Sequence, residues 1–188
     1  MKAVILAAGK STRLHPLTVS RSKVMLTVAN TTILEYNLQQ LEQTKLIDEV
    51  VIVVGFCSEG IMTKLGSKFG KMKLAYAFQT EQLGTGHALL QAEKFLSGEK
   101  KFLLIMGDDL YSSADIKKCA SHGSCVLAKK VANIGSFGKI IADKGALKSL
   151  VEKPDESGIG LANTACYALP NSIFKLLHSL KKSNRGEY

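Results

Sequence analysis

The stretch KAVILAAGKSTRL, residues 2–14, decides the fold class of this sequence. Its first seven residues form a continuous apolar run, which is typical of a β-strand buried on both faces of a parallel sheet. Gly9 follows at once, and small residues at the end of a strand let the backbone approach a ligand. Free backbone N–H groups in such a turn can bind anions. The sequence therefore predicts a buried first strand that ends in an anion-binding loop.

Strand and helix patterns alternate from this first strand to residue 106. Thr32 and Glu35 have the spacing of a capping box at the start of one predicted helix. The alternation favours an α/β fold, namely a Rossmann-like, doubly wound, mostly parallel (mixed) sheet with helices on both faces. Right-handed crossovers then bring the loops after the strands to one edge of the sheet. The predicted strands are 2–8, 49–55, 72–78 and 101–106, and the predicted helices are 32–46, 58–65 and 85–95.

The pattern changes after residue 120, where short apolar segments are separated by turns. Such segments are typical of hairpins, and residues 143–145 (DKG) fit the turn of one of them. We therefore predict a mixed sheet in this part and a single domain over residues 1–188. The predicted strands are 124–131, 138–142, 146–151 and 161–168, followed by a helix at 171–182.

Composition excludes several classes of protein. Hydrophobic residues make up 46% and charged residues 22% of the 188, which is typical of a folded globular chain. No apolar run reaches the roughly 20 residues of a membrane span, so we expect no membrane partner and a cytoplasmic protein. The net charge is +9, but the lysines form pairs rather than a tract, and we expect no nucleic-acid partner. The four cysteines lack metal-ligand spacing, so no zinc site is expected.

Three cations lie in or near the loop after the first strand: Lys10, Arg13 and Lys23. Their charges suit a triphosphate. Residues 9–11 (GKS) match the second half of a P-loop motif, but the first glycine of that motif would fall at Val4, inside the strand. The P-loop interpretation therefore fails on its spacing. The alternative to an anion site is a tight turn with surface charges.

The segment QTEQLGTGHA, residues 79–88, links the third strand to a helix. Two glycines flank Thr85 at the expected helix N-terminus, where free N–H groups point outward. Gln79 carries an amide that both donates and accepts hydrogen bonds, so it could read the edge of a base. His87 lies in the first helical turn, and we expect it to cap or to pack rather than to catalyse.

Asp108 and Asp109 follow the fourth strand. Carboxylates at the end of a buried strand are costly unless paired, and Mg²⁺ prefers one or two carboxylates together with phosphate oxygens and water. The alternative is that Asp109 caps a helix. Weaker signals follow at 135–139 (GSFGK), 151–154 (VEKP) and 162–164 (ANT). The glutamate and lysine of the second of these fit a surface ion pair as well as a binding pair.

Together and in this order, these residues resemble the sugar-nucleotide pyrophosphorylase family of nucleotidyltransferases, which includes glucose-1-phosphate thymidylyltransferases and N-acetylglucosamine-1-phosphate uridylyltransferases. The resemblance covers the whole chain and is carried by LAAGKSTRL, QLGTGHA, the Gly-Asp pair after a buried strand, and FGKI with VEKP. It implies transfer of NMP from UTP or dTTP to glucose 1-phosphate or N-acetylglucosamine 1-phosphate, with Mg²⁺ as cofactor and pyrophosphate as the second product. QLGTGHA is more similar to the uridylyltransferase branch, which slightly favours UTP.

The resemblance also implies roles for individual residues. Arg13 and Lys23 would be catalytic cations on the triphosphate, and Asp108 would be catalytic as the ligand of Mg²⁺. The implied nucleotide contacts are Leu6, Ala8, Gly9, Gln79, Gly84 and Thr85, and the implied sugar-phosphate contacts are Gly138, Glu152, Lys153 and Asn163.

Three features depart from the family pattern. Ser11 replaces a glycine, which the backbone tolerates if φ stays negative. Ser22 replaces the proline before the reactive lysine, so we expect Lys23 to be held less firmly. Relatives continue after a GEY segment, here residues 186–188, into strands that carry a second metal ligand. The domain is therefore expected to be truncated at its C-terminal end.

This last departure leaves a different function open, a catalytically silent regulatory module that binds nucleotide. The sequence also leaves open a cytidylyl or guanylyl transfer on the same fold. Nucleic-acid binding is the alternative suggested by the charge of +9. The sequence does not decide whether the chain forms a homo-oligomer.

Overall fold

The computed structural model of the protein describes residues 1–182 and Gly186. Three short 3₁₀ turns accompany the regular elements, at Thr12–Leu14, Lys23–Met25 and Glu93–Leu96. The helices are α1 Ile33–Thr44, α2 Ser58–Leu65, α3 Thr85–Leu90, α4 Ser113–Ala120 and α5 Ile173–Ser179. The strands are β1 Lys2–Ala7, β2 Thr27–Val28, β3 Thr31–Thr32, β4 Glu49–Val54, β5 Lys68–Phe69, β6 Met72–Phe78, β7 Lys101–Met106, β8 Cys125–Val131, β9 Gly138–Asp143, β10 Ala146–Glu152 and β11 Gly160–Pro170.

Nine of the strands form one sheet, in the order β10-β9-β11-β7-β1-β4-β6-β5 with β8 paired to β11. β7, β1, β4 and β6 are parallel, whereas β11 runs antiparallel to β7, β8 and β9. The predicted parallel half and the predicted hairpin half therefore share one sheet, and they join where β11 pairs with β7. Because β1, β6 and β7 are parallel, the loops after them lie at the same edge.

Helices cover both faces of this sheet, as the sequence predicts. Alternate residues of β1 point to opposite faces, so Ile5 belongs to one buried cluster and Val4 to the other. The cluster around Ile5 includes buried side chains of α1, α2 and α4. The cluster around Val4 includes buried side chains of α3 and α5. The doubly wound, mostly parallel architecture is confirmed.

The start of α1 has the capping box that the sequence predicts. The Glu35 backbone N–H donates to Thr32 Oγ1 at 3.2 Å, and the Thr32 N–H donates to Glu35 Oε2 at 3.0 Å. The apolar side of the helix, at Leu34, Leu38 and Leu41, is fully buried against the sheet. Local hydrogen bonds thus fix where α1 begins, and burial fixes which side faces the core.

Several predicted boundaries are wrong. The helix predicted over 85–95 ends at Leu90 and is followed by a separate 3₁₀ turn, and the last helix is shorter than 171–182. Helix α4 was not predicted, and its N-cap is Ser112 rather than Asp109. The Asp115 N–H donates to Ser112 Oγ at 3.1 Å, which supplies the cap three residues beyond Asp109. Of the GEY segment at 186–188, Glu187 and Tyr188 lie outside the described residues.

Candidate active site

A cleft of about 420 Å³ opens at the sheet edge where β1, β6 and β7 end, and we call it the β1 cleft. Its walls come from the loops that follow these three strands and from the start of α3. Lys10 does not line it. The structure brings all nine residues with expected catalytic or nucleotide-binding roles into this cleft: Leu6, Ala8, Gly9, Arg13, Lys23, Gln79, Gly84, Thr85 and Asp108.

The loop after β1 turns at Ser11, whose φ is 55° and ψ is 36°. The condition set for a serine at this position, a negative φ, is therefore not met. The Ser11 carbonyl accepts hydrogen bonds from the Leu14 N–H at 3.0 Å and from Thr18 Oγ1 at 2.8 Å. These two bonds hold the left-handed conformation against its usual cost, and they place Arg13 in the cleft wall.

Lys23 is held by a 3₁₀ turn that begins after Ser22. Ser22 has φ −67°, close to the value that a proline ring would fix, and the Met25 N–H donates to its carbonyl at 3.0 Å. Serine thus keeps the backbone conformation that a proline would favour at this position, and the weaker hold on Lys23 stays a prediction. Lys23 Nζ donates to Asp108 Oδ2 at 2.8 Å.

Close contact with the backbone of β1 holds the loop that carries Asp108. The Gly107 N–H donates to the Leu6 carbonyl oxygen at 2.9 Å. A Cβ on Gly107 would lie 2.9 Å from that same oxygen and 3.1 Å from Val24 Cγ1, so a side chain does not fit. The backbone of Gly107 lies so close to these atoms that the position requires glycine. The same contact fixes the position of the next residue, Asp108.

Two buried polar side chains hold the same loop from the sides. Asn37 of α1 is fully buried, and its Nδ2 donates to the Asp109 carbonyl at 2.8 Å and to the Gly107 carbonyl at 3.4 Å. Tyr111 OH accepts from the Met106 N–H at 3.3 Å and donates to the Thr164 carbonyl at 2.9 Å. Sequence reasoning missed both residues, although an asparagine within the apolar side of α1 was an available signal.

The acidic pair is suited to a metal that is shared with a substrate. The Asp108 carboxylate is partly exposed in the cleft. Desolvation and the adjacent Asp108 charge raise the pKa of Asp109. Among residues 1–182 and Gly186, no group of three or more His, Cys, Asp or Glu side chains could hold a metal ion by itself. One or two carboxylates fit Mg²⁺, which commonly takes its other ligands from phosphates and water.

Gln79 lies at the end of β6, and its side chain is only 4% exposed. Its Nε2 donates to the Gly84 carbonyl at 3.1 Å and lies 3.1 Å from His87 Nδ1. Gly84 has φ 95°, a conformation that glycine adopts without strain, and α3 begins at the next residue. Among the described residues, no side chain caps the start of α3, and a hydrogen-bond partner of His87 is the residue that is expected to contact the base.

A second cleft, of about 580 Å³, lies beside the first and is lined by residues of β8 and β11; we call it the β11 cleft. Asp109 and Tyr111 contribute to its wall, and Asp108, the residue before Asp109, lines the β1 cleft. Asn163 lines it, with Nδ2 donating to Tyr167 OH at 2.7 Å and Oδ1 accepting from the Ala165 N–H at 2.8 Å. These bonds span an irregularity in the β11–β8 pairing.

The other three expected sugar-phosphate contacts do not line either cleft. Gly138 pairs with Glu152 across β9 and β10, and a Cβ on Gly138 would lie 2.9 Å from Glu152 Oε1. Burial, and with it the nearby Glu152 charge, raises the pKa of Tyr167. Lys153 is exposed, with φ 43°. Within the part of the chain that the structure describes, it forms no ion pair with Glu152.

The arrangement suits a ligand with several negative charges. Arg13 and Lys23 line the same cleft as Asp108, and the backbone of the loop after β1 forms part of the wall. The β11 cleft is lined by apolar and polar residues and by three charged ones, Asp109, Asp115 and Lys129. Within the described residues, none of the helices has the length and apolar character needed to cross a bilayer. The lining of the β1 cleft therefore suits the binding of phosphate groups.

Comparison with known proteins agrees with this geometry. The chain is 37% identical to the bifunctional protein GlmU of Methanococcus vannielii over its whole length, but it spans only 45% of that relative. It is 33% identical to the UTP–glucose-1-phosphate uridylyltransferase AglF of Haloferax volcanii and covers 79% of it. A crystal structure of UDP-glucose pyrophosphorylase complexed with UDP-glucose matches 99% of the chain with a TM-score of 0.87, 25% identity and 82% coverage of that protein.

The family model described as nucleotidyl transferase matches residues 2–188, which is almost the whole chain. The match includes both clefts and every residue with an expected role. The expected resemblance is confirmed, and the chain belongs to the nucleotidyl transferase family.

Proposed function

We propose that this chain transfers a nucleoside monophosphate from UTP or dTTP to a hexose 1-phosphate and releases pyrophosphate. The observation that carries the proposal is the placement of Asp108 in the β1 cleft together with Arg13 and Lys23, and of the next residue, Asp109, in the β11 cleft. The β1 cleft would bind the nucleoside triphosphate, and the β11 cleft would bind the sugar. The name of the AglF relative, which specifies UTP and glucose 1-phosphate, supports the same reaction for this chain.

The reaction requires no general base from the protein. The second pKa of a phosphate monoester is about 6, so a sugar 1-phosphate is mostly dianionic at neutral pH and its oxygen is already a nucleophile. This oxygen attacks the α-phosphorus in line, the bond from the α-phosphorus to the bridging oxygen breaks, and pyrophosphate leaves with that oxygen. Catalysis then depends on orientation and on neutralisation of charge.

Arg13 and Lys23 would neutralise the triphosphate in this reaction. Lys23 already contacts Asp108, so its ammonium lies beside the position where the reacting phosphate would enter. Asp108 would hold Mg²⁺ together with phosphate oxygens, and the bound ion would further neutralise the triphosphate. The two cations, from the connection after β1, and the carboxylate, from the loop after β7, would thus act on the triphosphate together.

The remaining contacts divide between the two substrates. The amide of Gln79 and the backbone at Gly84 and Thr85 would contact the base. Leu6, Ala8 and Gly9 would lie against the nucleoside, and Asn163, Gly138, Glu152 and Lys153 would contact the sugar phosphate.

The first experiment measures pyrophosphate release with Mg²⁺. UTP, dTTP, CTP and GTP are each combined with glucose 1-phosphate and N-acetylglucosamine 1-phosphate. We expect release that requires one sugar phosphate and one of the two nucleotides UTP and dTTP. Asp108→Asn should reduce it by about 10²- to 10³-fold, as expected for the loss of an electrostatic stabiliser. Asp143→Asn, which alters an exposed carboxylate of β9, is the matched control and should leave the rate unchanged.

Two results would contradict the proposal. If UTP binds but no pair yields pyrophosphate, the chain is the catalytically silent nucleotide-binding module. If Asp108→Asn retains full activity, the assignment of the acidic pair is wrong. Release with CTP or GTP alone would keep the chemistry and change the nucleotide.

A further inference from the structure

The amide of Gln79 has one hydrogen-bonding atom left for a ligand. Its Nε2 carries two hydrogens, and it has two partners: the Gly84 carbonyl at 3.1 Å and His87 Nδ1 at 3.1 Å. Within the part of the chain described here, no hydrogen bond is formed by Oε1. Gln79 lines the β1 cleft, so this oxygen is the atom that a base would meet.

The orientation of the Gln79 amide follows from its hydrogen bond with the Gly84 carbonyl. A backbone carbonyl can only accept, so the group that faces it must be the NH₂ of Gln79 and not its oxygen. With the NH₂ in that place, His87 Nδ1 must also be an acceptor. A neutral imidazole with an acceptor at Nδ1 carries its proton on Nε2. The Gly84 carbonyl, acting through the Gln79 amide, therefore favours the tautomer of His87 that carries its proton on Nε2.

A second amide tests this assignment. Gln91 Nε2 lies 3.2 Å from His87 Nε2, and a neutral imidazole cannot accept at both nitrogens. Gln91 is half-buried, whereas Gln79 is almost fully buried and anchored by Gly84. Gln91 Nε2 also donates to the His87 carbonyl at 3.2 Å, so its NH₂ keeps that orientation. The half-buried Gln91 side chain therefore gives up its contact with His87 Nε2, and the buried Gln79 keeps its bond to Nδ1.

We infer that His87 is a specificity-determining residue that acts through Gln79 and makes the site select uracil or thymine over cytosine. Uracil and thymine carry an N3–H donor, which matches the free Oε1 acceptor. Cytosine has a lone pair at N3, so it would place one acceptor against another. The inference rests on the proposed function, because it takes the β1 cleft as the nucleotide site and Gln79 as the residue that contacts the base.

Loss of His87 should weaken this selection without abolishing it. Without His87, the Gly84 carbonyl still favours the orientation in which the NH₂ of Gln79 faces it. The hydrogen bond to His87 Nδ1 is lost, however, so the amide can turn its NH₂ towards cytosine. Because one neutral hydrogen bond is involved, the ratio of UTP to CTP affinity should fall about 5- to 10-fold. A residue that only supports the fold would lower both affinities equally and leave the ratio unchanged.

The experiment is isothermal titration of UTP and CTP, with Mg²⁺, into the wild type and three variants. His87→Leu removes the acceptor, and we expect the affinity ratio to fall. His87→Asn retains an acceptor oxygen near the position of Nδ1, and we expect most of the ratio to be restored. His122→Leu, which changes an exposed histidine after α4, is the matched control and should match the wild type.

The outcomes separate this inference from the proposed function. An unchanged ratio in His87→Leu overturns the role of His87, whatever the pyrophosphate assay gives. A wild type that binds UTP and CTP equally overturns both the role of His87 and the base-reading role of Gln79. Because binding is measured without turnover, a catalytically silent chain would still test the inference, whereas only pyrophosphate release tests the reaction.

Discussion

Lys23 Nζ lies 2.8 Å from Asp108 Oδ2, so a cation and an anion from two different loops face each other in the β1 cleft. Lys23 belongs to the 3₁₀ turn before β2, and Asp108 follows β7. Both side chains are partly exposed, so each can change partner at little cost. We expect the ammonium to turn to the triphosphate when the substrate binds, which leaves the carboxylate to its metal.

The first prediction concerns this cation. Lys23→Ala should lower kcat/KM for the triphosphate by about 10²- to 10³-fold, because a positioned charge is lost where negative charge develops. Arg21→Ala is the matched control in the same loop, because Arg21 is exposed and does not line the β1 cleft. Steady-state pyrophosphate release measures both variants. Equal losses of kcat/KM in Lys23→Ala and Arg21→Ala would mean that Lys23 contributes only to the general positive potential of the surface.

The second prediction concerns the glycine below Asp108. Gly107→Ala places a methyl group 2.9 Å from the Leu6 carbonyl oxygen, and overpacking of this kind costs about 1–3 kcal/mol. Because the strain falls on the loop of Asp108, activity should fall with stability. Gly60→Ala is the control, since nothing lies within 4 Å of a Cβ there and Gly60 is within α2. It should stabilise by up to about 1 kcal/mol, as measured by urea unfolding. If Gly107→Ala leaves stability and activity unchanged, the loop that carries Asp108 is not tightly fixed.

The third prediction concerns acid stability. Partial burial by itself raises the pKa of Glu35, but hydrogen bonds from Thr32 and the charge of Lys64 outweigh it, and the net pKa is lowered. A carboxyl with a lowered folded-state pKa stabilises the protein above its unfolded value and loses that contribution as the pH falls through the folded value. The loss should occur below about pH 4.3, the ordinary value for glutamate.

Glu35→Gln isolates this effect, because glutamine also serves in a capping box but does not titrate. The free energy of unfolding should fall more steeply between pH 7 and pH 3 in the wild type than in the variant. The difference should stay below about 1 kcal/mol, because the carboxylate is partly exposed and screened. Identical pH profiles would exclude Glu35 as a contributor.

The fourth prediction concerns the link between the two clefts. Tyr111→Phe removes the hydroxyl that joins the Met106 N–H to the Thr164 carbonyl, and both groups are left without that partner. We expect a loss of about 1–3 kcal/mol in stability, and a larger rise in KM for the sugar phosphate than for the nucleotide. Tyr76→Phe is the control, because its hydroxyl donates to the Gly66 carbonyl far from the site. It should change stability alone, and an equal rise in both KM values for Tyr111→Phe would contradict the link.

Much of the fold was available from local sequence patterns. The run KAVILAA identifies β1, because a strand buried on both faces requires apolar residues along its length. Thr32 and Glu35 mark the start of α1, because a capping box involves only residues of the first helical turn. The loops after parallel strands share an edge, so the β1 cleft follows from the order of the elements.

The remaining features depend on contacts between distant residues. Asn37 bonds to a carbonyl 72 residues away, and Tyr111 to one 53 residues away, so neither role is visible in a local pattern. The conformation of Ser11 depends on Thr18, and the orientation of Gln79 depends on a carbonyl five residues on. Such details require the packed structure, because they record which groups happen to meet once the sheet has formed.

The junction between β7 and β11 has a consequence for how substrate choice can change. β11 pairs with β7 over only four residues, Tyr167–Pro170, and the hairpin half of the sheet is attached to the parallel half through this short border. Among the described strands, a substitution in β8, β9 or β10 therefore reaches the parallel strands of the sheet only through β11. If the proposed reaction is correct, the strands beside the acceptor can vary while the parallel strands that position the triphosphate loops are kept.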